Sequence, residues 1–180
     1  TTTCLRDVAK LSCFDRGPQL AQEYLSQHGI CLVIEPPFKK TYLDGCAMLD
    51  GDRPIVGLTL RHDRIDNFWF ALLHEVVHVQ KHLTVDCRFI ADNLDDKGRI
   101  GQAQEDEADA GARDALIPPE LWTTAVVRDT HDAEDARALA RQAGVHPAIV
   151  AGRVRHETGN WRLLSSLISE AGSVKACFSE

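Results

Sequence analysis

The sequence predicts an α+β fold: a small three-stranded sheet, mixed or antiparallel, packed on two helices and followed by a helical C-terminal part. Three observations carry this. Three short apolar runs fall between residues 30 and 60, joined by links too short for helical crossovers. From residue 64 the apolar residues recur at three- and four-residue spacing. Beyond residue 116, helical stretches alternate with proline and glycine stops. The 180 residues, 44% of them hydrophobic, suffice for one full domain with a sizeable core. The expected division is a core over 1–128 and a helical C-terminal subdomain over 129–180.

Taken in order, Leu5, Val8 and Leu11 have helical spacing until Asp15-Arg16-Gly17-Pro18 breaks it. Pro18 suits the first turn of a second helix, which sets Leu20, Ala21, Tyr24 and Leu25 on one face and ends near Gly29. Residues 30–34 form a strand stopped by Pro36-Pro37. Residues 42–49 form a second strand, bent at Gly45, and 55–60 a third, after the turn Asp50-Gly51-Asp52-Arg53-Pro54. Gly57-Leu58-Thr59-Leu60 reads equally well as an ordinary strand or as an edge that holds an extended peptide by strand addition. Asp63 or Asp66 can cap the next helix, placed at about 64–82. The polar stretch 90–104 reads as a surface loop. An alanine-rich helix over about 103–116 stops at Ile117-Pro118-Pro119. Helices over about 119–127, 133–143 and 147–157 follow, and then 161–168.

Bulk properties exclude several classes. A net charge of -7 argues against a generic nucleic-acid surface. The longest apolar run, 68–73, is too short to span a membrane, and the N-terminus has no signal pattern. The six cysteines (Cys4, Cys13, Cys31, Cys46, Cys87 and Cys177) show neither C-x-x-C nor zinc-finger spacing. They read as reduced, mostly buried thiols of a cytoplasmic protein. The first residue, Thr1, fits a trimmed piece of a longer chain.

The 64–82 helix contains His74-Glu75-x-x-His78. Positions i and i+4 differ by about 400°, so the two imidazoles share one face and lie about 6 Å apart along the axis. Two neutral imidazoles so placed can bind one zinc ion, with Glu75 about 100° round as general base. An ordinary helix with two histidines is the competing reading. A third ligand lowers its appeal. In the extended three-histidine pattern, Lys81 stands where glycine is required and Thr84 where histidine is, so that pattern fails. His82 lies about 12 Å along the axis from His74, too far for one tetrahedral ion. The cluster Glu105-Asp106-Glu107-Ala108-Asp109 offers a glutamate instead. Glu105 shares a face with Ala108, Asp109, Ala112 and Leu116, whereas Glu107 shares a solvent face with Gly111 and Asp114. Glu105 is therefore the expected ligand, with Asp109 bonded to the far nitrogen of a ligating histidine. Acids at a helix N-terminus also complement its dipole, the plainer reading of the same cluster. Zinc with three such ligands keeps a fourth position for water, and Glu75 can move the proton in peptide hydrolysis. Tyr42, His146, Arg153 and His156 are candidates to stabilise the oxyanion or hold substrate, each with a surface or structural role as the alternative.

The motif with Glu105-x-x-Ala108-Asp109 and Leu116-Ile117-Pro118 resembles the ImmA/IrrE family of bacterial zinc peptidases. Thr41-Tyr42-Leu43-Asp44-Gly45, the run from Gly57 to Phe70, and Val145 to Arg153 resemble its subgroup fused to HigA-type antitoxin regulators. The resemblance implies a minimal gluzincin-like fold, Zn2+ on His74, His78 and Glu105, and Glu75 as base. It implies cleavage of a helix-turn-helix repressor in the cytoplasm, derepressing phage, mobile-element or stress genes. In the subgroup a DNA-binding domain precedes the peptidase; Thr1 to Gly29 shows no such pattern.

One competing class remains. Residues 138–155 have a helix, glycine turn, helix pattern with Arg137, Arg141, Arg153, Arg155 and Arg162 around it. That pattern suits a DNA-binding regulator or antitoxin that retains zinc without peptidase activity. Gly152 and its small neighbours suggest instead a buried second helix, so direct DNA binding by this chain is not expected.

Overall fold

The computed structural model describes residues 4–36, 43–91 and 101–178. Two helices open the chain, α1 (Leu5–Lys10) and α2 (Gly17–Gln27), the first continuing into a 3-10 turn at Leu11–Cys13. Three strands follow: β1 (Cys31–Glu35), β2 (Gly45–Asp50) and β3 (Arg53–Thr59). The long helix α3 (Ile65–Lys81) comes next, then β4 (Phe89–Ala91) and α4 (Gln102–Leu116). The remainder is helical: α5 (Pro119–Thr123), α6 (Val127–Thr130), α7 (Ala133–Ala143), α8 (Pro147–Thr158) and α9 (Ser165–Glu170), with a closing 3-10 turn at Lys175–Cys177. The fold is α+β, as the sequence predicts.

The sheet has four strands rather than three, in the order β1-β3-β2-β4. β4 is only three residues long, too short to show alternation in the sequence, but it pairs antiparallel with β2 through Met48 and Phe89. Residues 92–100, the rest of the expected 90–104 loop, lie outside the described residues, as does Tyr42. β3 runs parallel to β1 and antiparallel to β2, so the sheet is mixed. Val56 pairs with Leu32 on one side and Ala47 on the other. Gly57-Leu58-Thr59 is thus interior, and the edge-strand reading of that stretch fails because its hydrogen-bonding groups are already taken.

α3 lies against β2, β3, α4 and α8. This is why its apolar residues go nearly all the way round. Phe68, Trp69, Leu72, Leu73, Val76 and Val77 are all buried. Neither Asp63 nor Asp66 caps it: Arg64 holds the N-cap position without a side-chain cap. Asp66, inside the first turn, takes the Arg64 guanidinium instead (Nε to Oδ1, 3.0 Å). Asp63 accepts from the Ser173 hydroxyl at 2.6 Å and the Lys175 amide at 2.9 Å, tying down the C-terminal segment.

Two glycines set the packing on α3. A Cβ at Gly111 of α4 would meet Val77 at 2.9 Å, and one at Gly152 of α8 would meet Asp66 at 2.7 Å. Gly111 therefore faces α3, and the small residues of α4 let the two helices approach closely. Arg6 joins three elements, donating to the carbonyls of Ala115 (2.9 Å), Leu116 (3.1 Å) and Ala143 at the ends of α4 and α7.

A single hydrophobic cluster runs from Val8 through Leu72 to Val150, Val154 and Leu167, on both sides of residue 128. The expected helix over 119–127 is two short ones, α5 and α6, and the last begins at Ser165. None of the six cysteines is in a disulfide. None is fully buried either; Cys4 and Cys13 are exposed, a correction to the reading of buried thiols. Among the described residues, no helix is long and apolar enough to cross a membrane.

Candidate metal centre

α3 and α4 bring His74, His78 and Glu105 together, with one ligand atom from each within 4.8 Å of the others. The Nε2 atoms of the two histidines are 3.0 Å apart. Glu105 straddles them, with Oε2 at 3.2 Å from His74 Nε2 and Oε1 at 3.4 Å from His78 Nε2. For a tetrahedral zinc with bonds of about 2.0–2.1 Å, neighbouring donors lie about 3.3 Å apart. The observed separations match that edge.

The donor chemistry agrees with the spacing. His74 Nδ1 lies 3.0 Å from Asp109 Oδ1. A carboxylate there can only accept, so His74 carries its proton on Nδ1 and presents a lone pair from Nε2. That lone pair points towards His78 Nε2 and Glu105 Oε2, so one cation can be held among all three. The residues present therefore fit a zinc ion. His74 is 4% and His78 0% exposed, whereas the Glu105 side chain is 37% exposed, so solvent reaches the centre from the α4 side.

Glu75, 1% exposed, lies on the sheet side of α3. A Cβ at Gly45 would run into its carboxylate and stand 2.9 Å from Cγ and Cδ. β2 is held in that position by a two-pronged ion pair just before Gly45. Arg61 Nε and Nη2 donate to Asp44 Oδ1 and Oδ2 at 3.0 and 3.1 Å. The Thr59 amide also donates to the Asp44 carbonyl at 2.9 Å.

A cleft of about 120 Å³ opens between α3, α4 and α8. Phe70, Leu116, Ile117 and Ile149 line it, with Trp161 at its mouth. Asn67, Phe70 and His74 follow one face of α3, and Glu105, Asp109 and Arg113 one face of α4. The cleft thus lies along the same α3–α4 seam as the metal centre, one turn or so away from it, without the three donors lining it. Two contacts join them: the Phe70 ring lies 6.1 Å from that of His74, and Arg113 reaches Asp109 Oδ2 at 3.5 Å.

Of the four candidates for oxyanion or substrate contact, Arg153 and His156 line this cleft. Arg153 is occupied: it stacks on Trp122 at 4.2 Å, pairs with Glu157 at 3.0 Å and donates to the Ile117 carbonyl at 3.2 Å. His146 caps α8, its Nδ1 accepting from the Ala148 amide at 3.1 Å, and burial holds its imidazole below the ordinary pKa. Tyr42 lies outside the described residues.

Two further residues, His82 and Glu107, lie beside the centre. His82, too far from His74 to share its ion, has its Nδ1 2.9 Å from His78 Nδ1. Its Nε2 lies 3.2 Å from Glu107 Oε2, so the exposed Glu107 side chain folds back over α3. Lys81 grips the other oxygen of Glu107 at 2.6 Å. Bonds from Lys81 first and His82 second hold that carboxyl below the usual carboxylate pKa, so it is ionised at neutral pH. The signal for His82 was present in the sequence, because it follows His78 at the same i+4 spacing by which His78 follows His74. Compared with the models of known protein families and with curated proteins, the chain matches none.

Proposed function

We propose that this protein is a zinc-dependent metallo-endopeptidase of the ImmA/IrrE type, with a minimal gluzincin-like centre. Its substrate in this reading is a cytoplasmic helix-turn-helix repressor or antitoxin. The observation that carries the reading is the three-donor set at tetrahedral spacing, with a buried glutamate one residue along α3 from His74. His74, His78 and Glu105 hold the ion, and Asp109 fixes the His74 tautomer. A zinc ion held there supplies Lewis acidity and brings the pKa of water towards neutrality. Glu75 takes the proton from the attacking water and passes it to the leaving amide nitrogen. Gly45, backed by the Asp44–Arg61 pair, keeps the Glu75 carboxylate in place. The cleft beyond Phe70 receives a neighbouring side chain of the peptide.

The regulator reading has less support. α7 and α8 do form two helices about a left-handed Gly144. But Ala148, Ile149, Val150, Ala151, Val154 and Arg155 of α8 are buried, leaving little face for a DNA groove. Arg137 and Arg153 are paired with acids.

The deciding experiment incubates the protein with the helix-turn-helix repressor encoded beside it. Wild type is expected to bind one zinc per chain and cleave the repressor, and Glu75→Gln to keep the zinc and lose the cleavage. A zinc-loaded wild type that leaves such repressors intact while shifting duplex DNA in a salt-dependent way would replace this proposal with the regulator.

A further inference from the structure

We infer that His82 and Glu107 form a second carboxylate–histidine support, which fixes the tautomer of His78 for the metal as Asp109 fixes that of His74. This rests on the metal-site reading of His74, His78 and Glu105.

The inference comes from counting protons. The Nδ1 atoms of His78 and His82 are 2.9 Å apart, so one must donate and the other accept. Suppose His82 donates. His78 then accepts on Nδ1 and carries its own proton on Nε2. That proton would point at His74 Nε2 and Glu105 Oε1, in the place the ion needs. A neutral His82 would also turn a bare Nε2 on the Glu107 carboxylate 3.2 Å away, setting two acceptors against each other. Suppose instead that His78 donates. Its Nε2 is then free for the metal, His82 accepts on Nδ1, and His82 Nε2–H donates to Glu107. Every nitrogen then has a partner, and only this arrangement suits both the carboxylate and the ion.

The support is built into the fold. His82 is 6% exposed, at the C-terminal end of α3, where its backbone amide donates to the His78 carbonyl at 2.9 Å. Its ring centroid lies 4.8 Å from that of His78, as the His78 ring lies 4.7 Å from that of His74. Glu107 comes from α4, the helix that also supplies Glu105 and Asp109. Both histidine ligands on α3 are thus held from α4, one directly and one through His82. His82 and Glu107 are positioning residues; neither touches the reacting atoms.

Two measurements test this. In the zinc-loaded wild type, two-bond proton–nitrogen NMR is expected to show His78 protonated on Nδ1 and metallated on Nε2, and His82 protonated on Nε2 alone. Zinc affinity is then read by competition with a chromophoric chelator, with the melting temperature of the metal-free protein as control. His82→Leu is expected to weaken zinc binding about 10–100-fold, the usual cost of losing such a partner. His82→Asn, whose amide oxygen can accept the same bond, should recover most of that. Glu107→Ala, at an exposed position that leaves folding intact, should weaken binding about tenfold, and Glu107→Gln much less. A proton on Nδ1 of His82 in the loaded protein overturns the inference. So does wild-type affinity in both His82→Leu and Glu107→Ala. If His82→Leu fails to fold, Glu107→Ala and the wild-type spectrum still decide. A wild type that binds no zinc removes the metal site itself, and with it this support, whereas tight binding unmoved by these variants removes the support alone.

Discussion

At Gly45 the missing side chain matters because β2 passes directly over the Glu75 carboxylate. A methyl group there must push either the strand or the glutamate aside. Gly45→Ala is therefore expected to bind zinc as wild type does and to lose about 100-fold in kcat, the usual cost of displacing a proton-transfer group by about 1 Å. Peptide cleavage assays beside zinc stoichiometry check it; unchanged kcat means that Glu75 does not act from this position. The residues of the centre were unequally legible in the sequence. The i, i+4 histidines follow from helix geometry alone. Glu105 followed from the face it shares with Ala108 and Ala112, and the structure brings it to His74 and His78. Gly45 does not follow, because it owes its role to Glu75 on another element, and His82 is legible only as an i+4 neighbour of His78, not in its tie to Glu107 on α4. His82 was judged by its distance from His74, when its partner is His78. Glu107 was judged by its exposed face, but a long side chain on an exposed position can reach back over the next helix.

Among the elements, those with a strong period lie close to where the pattern puts them: α3, α4, α7 and α8 differ by one residue or so at either end. The departures have specific causes. β4 has three residues and owes its existence to pairing with β2. β3 is interior because β1 returns parallel beside it, a long-range pairing that no local pattern encodes. Asp63 suited a cap by its position before α3, but a longer-range partner took it. It anchors the segment that ends in the Lys175–Cys177 turn. Burial pushes its carboxyl pKa up, but the Ser173 hydroxyl and the amides of Lys175 and Val174 outweigh this and hold it below the ordinary value. A depressed folded pKa means that this anchorage is complete above the unfolded value of about 3.9 and is lost as pH falls through the lower folded one. Hydrogen exchange corrected for intrinsic rate should therefore show protection of the Lys175 amide falling below about pH 4 while α3 stays protected. In Asp63→Ala, which removes the acceptor, that protection should be low at every pH. Protection that persists to pH 2 in wild type counts against the anchor.

Over the whole molecule, one core joins the sheet, α3 and the C-terminal helices. α8 contributes to the metal centre's surroundings by backing α3 at Gly152 and forming the far wall of the cleft. The cleft wall is apolar at Phe70, Leu116, Ile117 and Ile149, with Trp161 58% exposed at the mouth. Under the proposed function, such a wall favours a large apolar side chain on the substrate near the cut bond, since burying one contributes about 1.5–3 kcal/mol. Trp69 and Trp122 are buried, so a change in tryptophan emission on binding reports mainly on Trp161. Titrating a peptide with leucine or phenylalanine near the cleavage point into the Glu75→Gln protein should shift that emission, and the alanine counterpart should not. In the active enzyme, Trp161→Ala is expected to raise KM about tenfold, or ~1.4 kcal/mol, with kcat nearly unchanged, because the lost contact is equal in ground and transition states. A Trp161→Ala enzyme with unaltered KM for leucine and alanine peptides alike would place the substrate elsewhere, while leaving the metal centre and Glu75 untouched.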